Sequence, residues 1–160
     1  KNTLKKFNPE LLAMYNLQGQ ASTLKYYEGL KSIKTIYSDM LQELKPGDFY
    51  YVVSDLDKLF NLDRSFFEKY KEKLKKLKLD ARITALDTPL AQYFVTYAQN
   101  YNHQAKILPK ETSVTVDAMI TPHKLVIHQL DDPIAAIVIE NKPAIQLQKE
   151  MFEIMWRALP

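Results

Sequence analysis

Residues Ser113–Asn141 read "SVTVDAMITPHKLVIHQLDDPIAAIVIEN" and contain three apolar segments rich in β-branched residues. The dipeptide "TP" and the tripeptide "DDP" separate these segments, and both favour chain breaks and turns. The pattern predicts three consecutive strands, "SVTVDAMIT", "HKLVIHQL" and "AAIVIEN", which form a meander in the last third of the chain. Strands joined in this way pair antiparallel, so any parallel strands upstream must share a mixed sheet with them.

Strand-like and helix-like segments alternate upstream of the meander. Four segments are predicted strands: "TLKYYEG", "DFYYVVSD", "DARITALD" and "QAKILP". Helical spacing of apolar residues predicts helices over "LKSIKTIYSDMLQEL", Asp63–Leu79 and "TPLAQYFVTYAQNY", and a last helix over Pro143–Leu159. Alternation followed by a meander predicts an α/β sandwich, with a mixed central β-sheet flanked by helices on both faces.

The chain divides into two predicted regions. Residues 1–22 are expected to be a linker or helical approach segment, with an Asn-Pro helix entry and a stop at Gly19. Residues 23–160 are expected to form one domain, a length sufficient for a sizeable core.

Composition excludes several classes of protein. The chain has 160 residues, no cysteine and a formal net charge of +3. The lack of cysteine excludes disulfides, thiolate zinc sites and cysteine nucleophiles, and fits an expected cytoplasmic location. No apolar run in the sequence reaches the length of a membrane span, and no Gly-rich phosphate loop occurs. We expect no cofactor and no metal, and the mild positive charge does not by itself indicate a nucleic-acid binder.

The segment Thr121–Asp132, "TPHKLVIHQLDD", contains the residue types of the phosphodiesterase motif, a histidine two residues before a lysine and then an aspartate. That spacing matters because side chains two apart share one face of a strand. Here His123 and Lys124 are adjacent, and His123 and His128 are five apart, so a regular strand would point each pair to opposite faces. The expected structure is a strand and a turn, with no shared metal site.

Carboxylates follow two of the predicted strands. Asp55, Asp57 and Asp87 lie where α/β sheets often place ligand contacts. Each also precedes a helical pattern, so helix N-caps are the alternative, and we favour it. Asp55 and Asp87, together with Lys124, are the candidate residues for a small-molecule ligand, and no residue is predicted to be catalytic.

Six lysines surround the apolar stripe of the predicted helix Asp63–Leu79, in "EKYKEKLKKLK". One interpretation is a solvated helix face. The other is contact with an anionic partner such as DNA phosphates or a nucleotide. Lys71, Lys75 and Lys78 are the candidates to face such a partner.

Three tyrosines spaced four apart, Tyr93, Tyr97 and Tyr101, occupy one face of a predicted helix. Packing of these rings against the sheet is the expectation. A platform for a carbohydrate or a nucleobase is the alternative.

Several phrases, taken in order, resemble the effector domain of TrmB-type transcriptional regulators. "KYYEGLKSIKTIYSDML" resembles the opening of that domain, where an extended strand, Glu-Gly and an "I..IY.D.L" helix recur. The matching residues are Tyr27, Glu28, Gly29, Ile33, Ile36, Tyr37, Asp39 and Leu41. "DFYYVVSDLDKL" resembles its next strand, and "AIVIENKPAIQLQKEMFEIMW" resembles its ending, in which "IEN" leads into a helix that closes with "F..LW". The resemblance extends over Ala21–Leu159.

The effector domain of that family is similar in fold to phospholipase D but typically lacks its catalytic residues. Alignment of Lys124 with the motif lysine puts Pro122 at the nucleophile and Gln129 at the aspartate, and neither can replace the lost group.

The resemblance therefore implies a non-catalytic effector and dimerisation domain. It also implies a homodimer, a small-molecule effector, and DNA binding through an upstream helix-turn-helix that this chain lacks. One alternative is a phosphodiesterase or nuclease of the phospholipase D class that uses His123 or His128 as nucleophile. Another is a stand-alone interaction module that uses the lysine-rich helix.

Overall fold

Seven strands form one mixed β-sheet in the structure, a computed structural model that describes residues 22–160. The strands are β1 (Thr23–Glu28), β2 (Phe49–Ser54), β3 (Asp80–Ala85), β4 (His103–Ile107), β5 (Val116–Ile120), β6 (Leu125–Gln129) and β7 (Ala135–Glu140). Their order across the sheet is β1-β7-β6-β5-β2-β3-β4. The predicted approach segment, residues 1–22, lies outside the described residues except for Ser22.

Strand direction divides the sheet into two parts. Strands β2, β3 and β4 are mutually parallel, whereas β5 pairs antiparallel with both β2 and β6. Strand β7 pairs antiparallel with both β6 and β1. The predicted meander and the predicted mixed sheet are therefore both confirmed.

Five helices cover the sheet within the described part of the chain. They are α1 (Leu30–Glu43), α2 (Leu56–Leu62), α3 (Arg64–Leu77), α4 (Pro89–Tyr97) and α5 (Lys142–Ala158). Helices α1 to α4 pack on one face, in a large core with Tyr50 and Val52 of β2. Helix α5 packs on the other face, where Phe152 and Trp156 meet Tyr51. Alternation along β2 thus supplies both cores, and the predicted sandwich with helices on both faces is confirmed.

The region after β2 differs from its prediction. The structure has a helix of seven residues, α2, which the sequence analysis missed, and α3 begins at Arg64. Asp63 separates the two helices because its carboxylate accepts a hydrogen bond from the Phe66 N–H, 3.0 Å away, in an N-cap. Helix α3 ends at Leu77, and its C-cap residue Lys78 has a left-handed backbone with φ of 54°.

The tyrosine prediction was wrong for two of its three residues. Tyr93 is 64% exposed and Tyr97 is 44% exposed, so neither packs against the sheet. The buried side of α4 instead presents Ala91 and Phe94 to the core. The predicted helix also stops at Tyr97, and a 3₁₀ turn over Ala98–Tyr101 carries the third tyrosine.

Candidate functional site

The segment with the phosphodiesterase residue types begins with a turn. Strand β6 starts only at Leu125, so the predicted strand was too long at its start. Thr121 closes the turn: its backbone N–H donates to the Lys124 carbonyl, 3.0 Å away, and its hydroxyl accepts from the Lys124 N–H at 3.2 Å. His123 and Lys124 lie inside this turn, so strand alternation does not govern their directions.

The two histidines of this segment lie toward opposite ends of β6 in different surroundings. His128 is fully buried and its ring stacks on Tyr37, with 5.0 Å between centroids. Burial lowers the pKa of His128 to about 3, so the ring is neutral at pH 7. His123 is half exposed, and its Nε2 lies 3.9 Å from the Asp48 carboxylate. The residues described by the structure include no cluster of three or more His, Asp or Glu that could hold a metal ion.

Lys124 is buried, with 7% of its surface exposed. Its ammonium group lies 2.8 Å from the Glu43 carboxylate at the end of α1, an ion pair that compensates the buried charge. Gln129, at the other end of β6, donates from its side-chain amide to the Pro133 carbonyl at 2.7 Å. Both side chains that align with the phosphodiesterase lysine and aspartate are therefore engaged by other residues of the fold.

The three ligand candidates do not converge. Asp55 and Asp87 follow β2 and β3, at the carboxyl edge of these parallel strands. Lys124 precedes β6, which runs in the same direction as β2, so it lies at the opposite edge of the sheet. A small ligand that touched all three would have to span the length of a strand.

The N-cap interpretation is correct for Asp55 but wrong for Asp87. Asp55 caps α2 and accepts from the Lys58 N–H at 3.2 Å. Thr88 is the cap of α4, and Asp87 accepts instead from the Gln92 side chain at 2.9 Å. Asp57 is not a cap either, since it lies in the first turn of α2.

Sequence reasoning missed a buried polar cluster at the carboxyl edge of β2, next to Asp55. Asp117 of β5 is 1% exposed and accepts hydrogen bonds from the Ser54 hydroxyl and from the Asp55 N–H, the latter at 2.9 Å. Burial raises the pKa of Asp117 to about 7. The two hydrogen bonds lower that pKa, the Asp55 carboxylate raises it and the Lys58 ammonium lowers it. The only signal in the sequence is an aspartate inside an apolar strand; its partner Ser54 is 63 residues away.

The lysine candidates of α3 fall into two environments. Lys75 and Lys78 are exposed, as an open cationic face requires. The side chain of Lys71 is only 15% exposed and forms an ion pair with Glu68 at 3.0 Å. Its ammonium group lies 4.3 Å from the ring centroid of Tyr101, within cation–π range. Lys71 therefore belongs to a groove beside α4 and not to the open face.

Comparison with solved structures identifies the architecture. TrmBL2, described as an archaeal chromatin protein with a novel mode of DNA binding, superposes with a TM-score of 0.58 at 15% identity. The match covers 99% of this chain and 62% of the TrmBL2 chain. NucT from Helicobacter pylori, a phospholipase-D-like nuclease, superposes with a TM-score of 0.57 at 10% identity, covering 86% of this chain and 98% of NucT. The fold is phospholipase-D-like.

The phospholipase-D-like fold agrees with the resemblance to TrmB-type effector domains, which is therefore confirmed as a likeness of fold. No family model matches the sequence, and no curated protein does. In the part of the chain that the structure describes, no helix has the length and apolar character needed to cross a bilayer.

Proposed function

We propose that this chain is the non-catalytic regulatory domain of a TrmB-type transcription regulator. The observation that carries the proposal is the pairing of Lys124 with Glu43 at 2.8 Å, next to Pro122 in the nucleophile position. Proline has no nucleophilic or basic side-chain atom, and Lys124, which is 7% exposed and paired with Glu43, does not present its charge to a phosphate in solvent.

The two histidines of the segment add support. A histidine nucleophile must reach the substrate, and His128 is fully buried in the core of the large helical layer. His123 is accessible, but within the described residues its closest ionic partner is Asp48, not a second histidine or a lysine. Nucleophile, base and phosphate-binding group are therefore not assembled around either ring.

The proposed regulator would act in the cytoplasm as a homodimer. DNA would be bound by a helix-turn-helix encoded upstream of these residues, and a small-molecule effector would bind to this domain. The likeness in fold to TrmBL2, an archaeal chromatin protein that binds DNA, supports the link to DNA.

A nuclease is the second candidate, favoured by one observation. The chain covers 98% of NucT, a phospholipase-D-like nuclease, but only 62% of TrmBL2. The size of the domain therefore matches a complete phosphodiesterase fold as well as part of a regulator.

Hydrolysis of bis-nitrophenyl phosphate and of single-stranded DNA by residues 1–160 separates the two candidates. We expect no hydrolysis above that of a buffer blank, because the segment around β6 has no assembled nucleophile. The His123→Ala and His128→Phe variants identify the source of any activity, since phenylalanine keeps a ring against Tyr37. Activity in the wild type that disappears in either variant, with the circular dichroism spectrum unchanged, would overturn the regulatory proposal.

A further inference from the structure

A groove beside α4 combines exposed aromatic rings with positive charge. It has a volume of about 250 Å³ and lies between α2, α3, α4 and the 3₁₀ turn. Tyr93 and Tyr97 form its outer wall, with exposures of 64% and 44% and with 4.6 Å between their ring centroids. Rings this large and this exposed leave apolar surface in contact with water. That surface is removed from water only when another group covers the rings.

Two cations and one anion line the groove. Arg64 is exposed, and no carboxylate in residues 22–160 lies within ion-pair distance of it. The Lys71 ammonium group contacts both the Glu68 carboxylate and the face of the Tyr101 ring. The side chains of the groove therefore carry an excess of one positive charge, which favours an anionic ligand.

A smaller cavity continues inward from the groove. Its volume is about 50 Å³, and Phe60, Lys71 and Phe94 line both spaces. His103 of β4 lines the inner cavity and is 4% exposed. Neither nitrogen of this ring has a hydrogen-bond partner in the described part of the chain, although a buried polar atom without one is costly.

The state of His103 limits what it can bind. Burial and the nearby Lys71 charge lower its pKa to about 4, so at pH 7 the ring is neutral and offers one N–H donor and one nitrogen acceptor. An inner cavity of about 50 Å³ admits only a small group. Among its lining residues, Lys71 and His103 favour a carboxylate there, which would accept from the His103 N–H and face the Lys71 ammonium group.

We propose that this groove binds a small aromatic carboxylate, with its ring against Tyr93 and Tyr97 and its carboxylate between Lys71 and His103. The inference deepens the proposed regulatory function, because it names the effector site and the chemical class of the effector. The site differs from the one predicted from Asp55, Asp87 and Lys124.

Calorimetric titration of residues 1–160 with 2-naphthoate tests the proposal. We expect saturable binding, and at least tenfold weaker binding of the neutral 2-naphthalenemethanol and of cyclohexanecarboxylate, which lacks a planar ring. Equal affinity for 2-naphthalenemethanol would overturn the anionic part of the proposal, and equal affinity for cyclohexanecarboxylate would overturn the aromatic part. Adenosine monophosphate offers a ring and an anion from a nucleotide, and tighter binding of it than of 2-naphthoate would also overturn the assignment.

Matched variants locate the ligand. Lys71→Gln should weaken 2-naphthoate binding about tenfold, the loss expected for one charge-assisted hydrogen bond. Lys73→Gln, an exposed position on the same helix, should leave the affinity unchanged. His103→Phe should weaken binding while raising the melting temperature, because it removes two unpartnered nitrogens and fills the inner cavity. Equal affinity in Lys71→Gln and wild type, or no binding by the wild type, would overturn the site and would leave the phosphodiesterase result unaffected.

Discussion

The buried carboxyl of Asp117 should make the stability of the protein depend on pH. Its pKa is raised to about 7 in the folded state, above the usual value of 3.8. Between these values the folded protein holds a proton that the unfolded chain has released. The contribution of Asp117 to stability is therefore fully present below pH 3.8 and is lost as the pH rises through 7, at a rate on the order of 1 kcal/mol per pH unit.

Two buried histidines act in the opposite direction. Burial lowers the pKa of His103 to about 4 and that of His128 to about 3, whereas the unfolded rings titrate near 6.5. The unfolded state takes up their protons first, so these residues destabilise the fold as the pH falls below 6.5. Both histidines are present in the wild type and in Asp117→Asn. Their contribution therefore cancels in the difference between the unfolding free energies of the two proteins.

Urea unfolding of the wild type and Asp117→Asn between pH 4 and 8 measures the effect. Asparagine keeps one oxygen that can accept from the Asp55 N–H, and its amide N–H can donate to the Ser54 hydroxyl oxygen, so the variant should fold. We expect the stability advantage of the wild type to fall steadily from pH 4 to 7 and then to level off. Asp39→Asn, at an exposed carboxylate of α1, is the control and should show no such trend. A constant difference across the range would contradict a raised pKa of Asp117.

At the scale of elements, an ion pair ties the end of α1 to the turn before β6. Lys124 is 7% exposed, and removal of Glu43 would leave its charge buried without a partner. We expect Glu43→Gln to lower the free energy of unfolding by about 1–2 kcal/mol, discounted because the Glu43 side chain is 36% exposed. Lys124→Met should cost less, because it removes the charge and keeps an apolar stem of similar length.

An exposed ion pair gives the matched control for that measurement. Lys58 and Asp131 lie 2.7 Å apart with side chains 41% and 61% exposed, so Asp131→Asn should change the unfolding free energy much less than Glu43→Gln does. If Glu43→Gln costs no more than Asp131→Asn in urea unfolding, the buried ion pair does not stabilise this junction. A ligand role for Lys124 would then regain support.

The periodicity of apolar residues predicted most helices and strands, because each of them buries one face and the spacing of that face can be read from neighbouring residues in the sequence. Helix α2 was missed because seven residues carry too little of a helical repeat, and Leu56–Leu62 follows its strand after a single residue. The partners of the buried polar residues could not be predicted from local sequence. Asp117 is hydrogen-bonded to Ser54, which is 63 residues away in the sequence, and Lys124 is paired with Glu43, which is 81 residues away. Neither partner is therefore indicated by residue spacing.

At the scale of the whole molecule, one fold accommodates two kinds of protein. TrmBL2 and NucT superpose on this chain almost equally well, with TM-scores of 0.58 and 0.57. Architecture therefore does not choose between regulator and nuclease, and function must be inferred from side chains in particular places. Here those side chains are the paired Lys124, the buried His128 and the cationic aromatic groove.

An exposed apolar face bears on the proposed homodimer. Leu147, Met151 and Ile154 form a stripe on α5, with exposures of 59%, 54% and 60%. On the same side of the sheet, Leu24 and Tyr26 of β1 are 71% and 59% exposed. Because both sets of residues face the same side of the sheet, we expect one partner to cover them.

We expect a second copy of this chain to be the partner that covers this surface. Helix α5 also carries exposed residues of both charges beside the stripe, Glu150 and Arg157, which are seven residues apart and therefore lie on one side of the helix. A twofold axis across antiparallel copies of α5 would bring the acidic residues of one chain toward the basic residues of the other. The apolar centre with a mixed-charge rim is the usual anatomy of such an interface.

Sedimentation equilibrium of residues 1–160 tests this interface. We expect the wild type to have twice the chain mass of 18.7 kDa and the Met151→Glu, Ile154→Glu double variant to be a monomer. Two carboxylates placed in an apolar interface would remain without partners, at a cost large enough to dissociate it. Thr35→Glu, Ser38→Glu adds the same charge at exposed positions of α1, on the other side of the sheet, and should remain a dimer. A monomeric wild type, or a double variant on α5 that stays dimeric, would show that copies of this domain do not associate through α5.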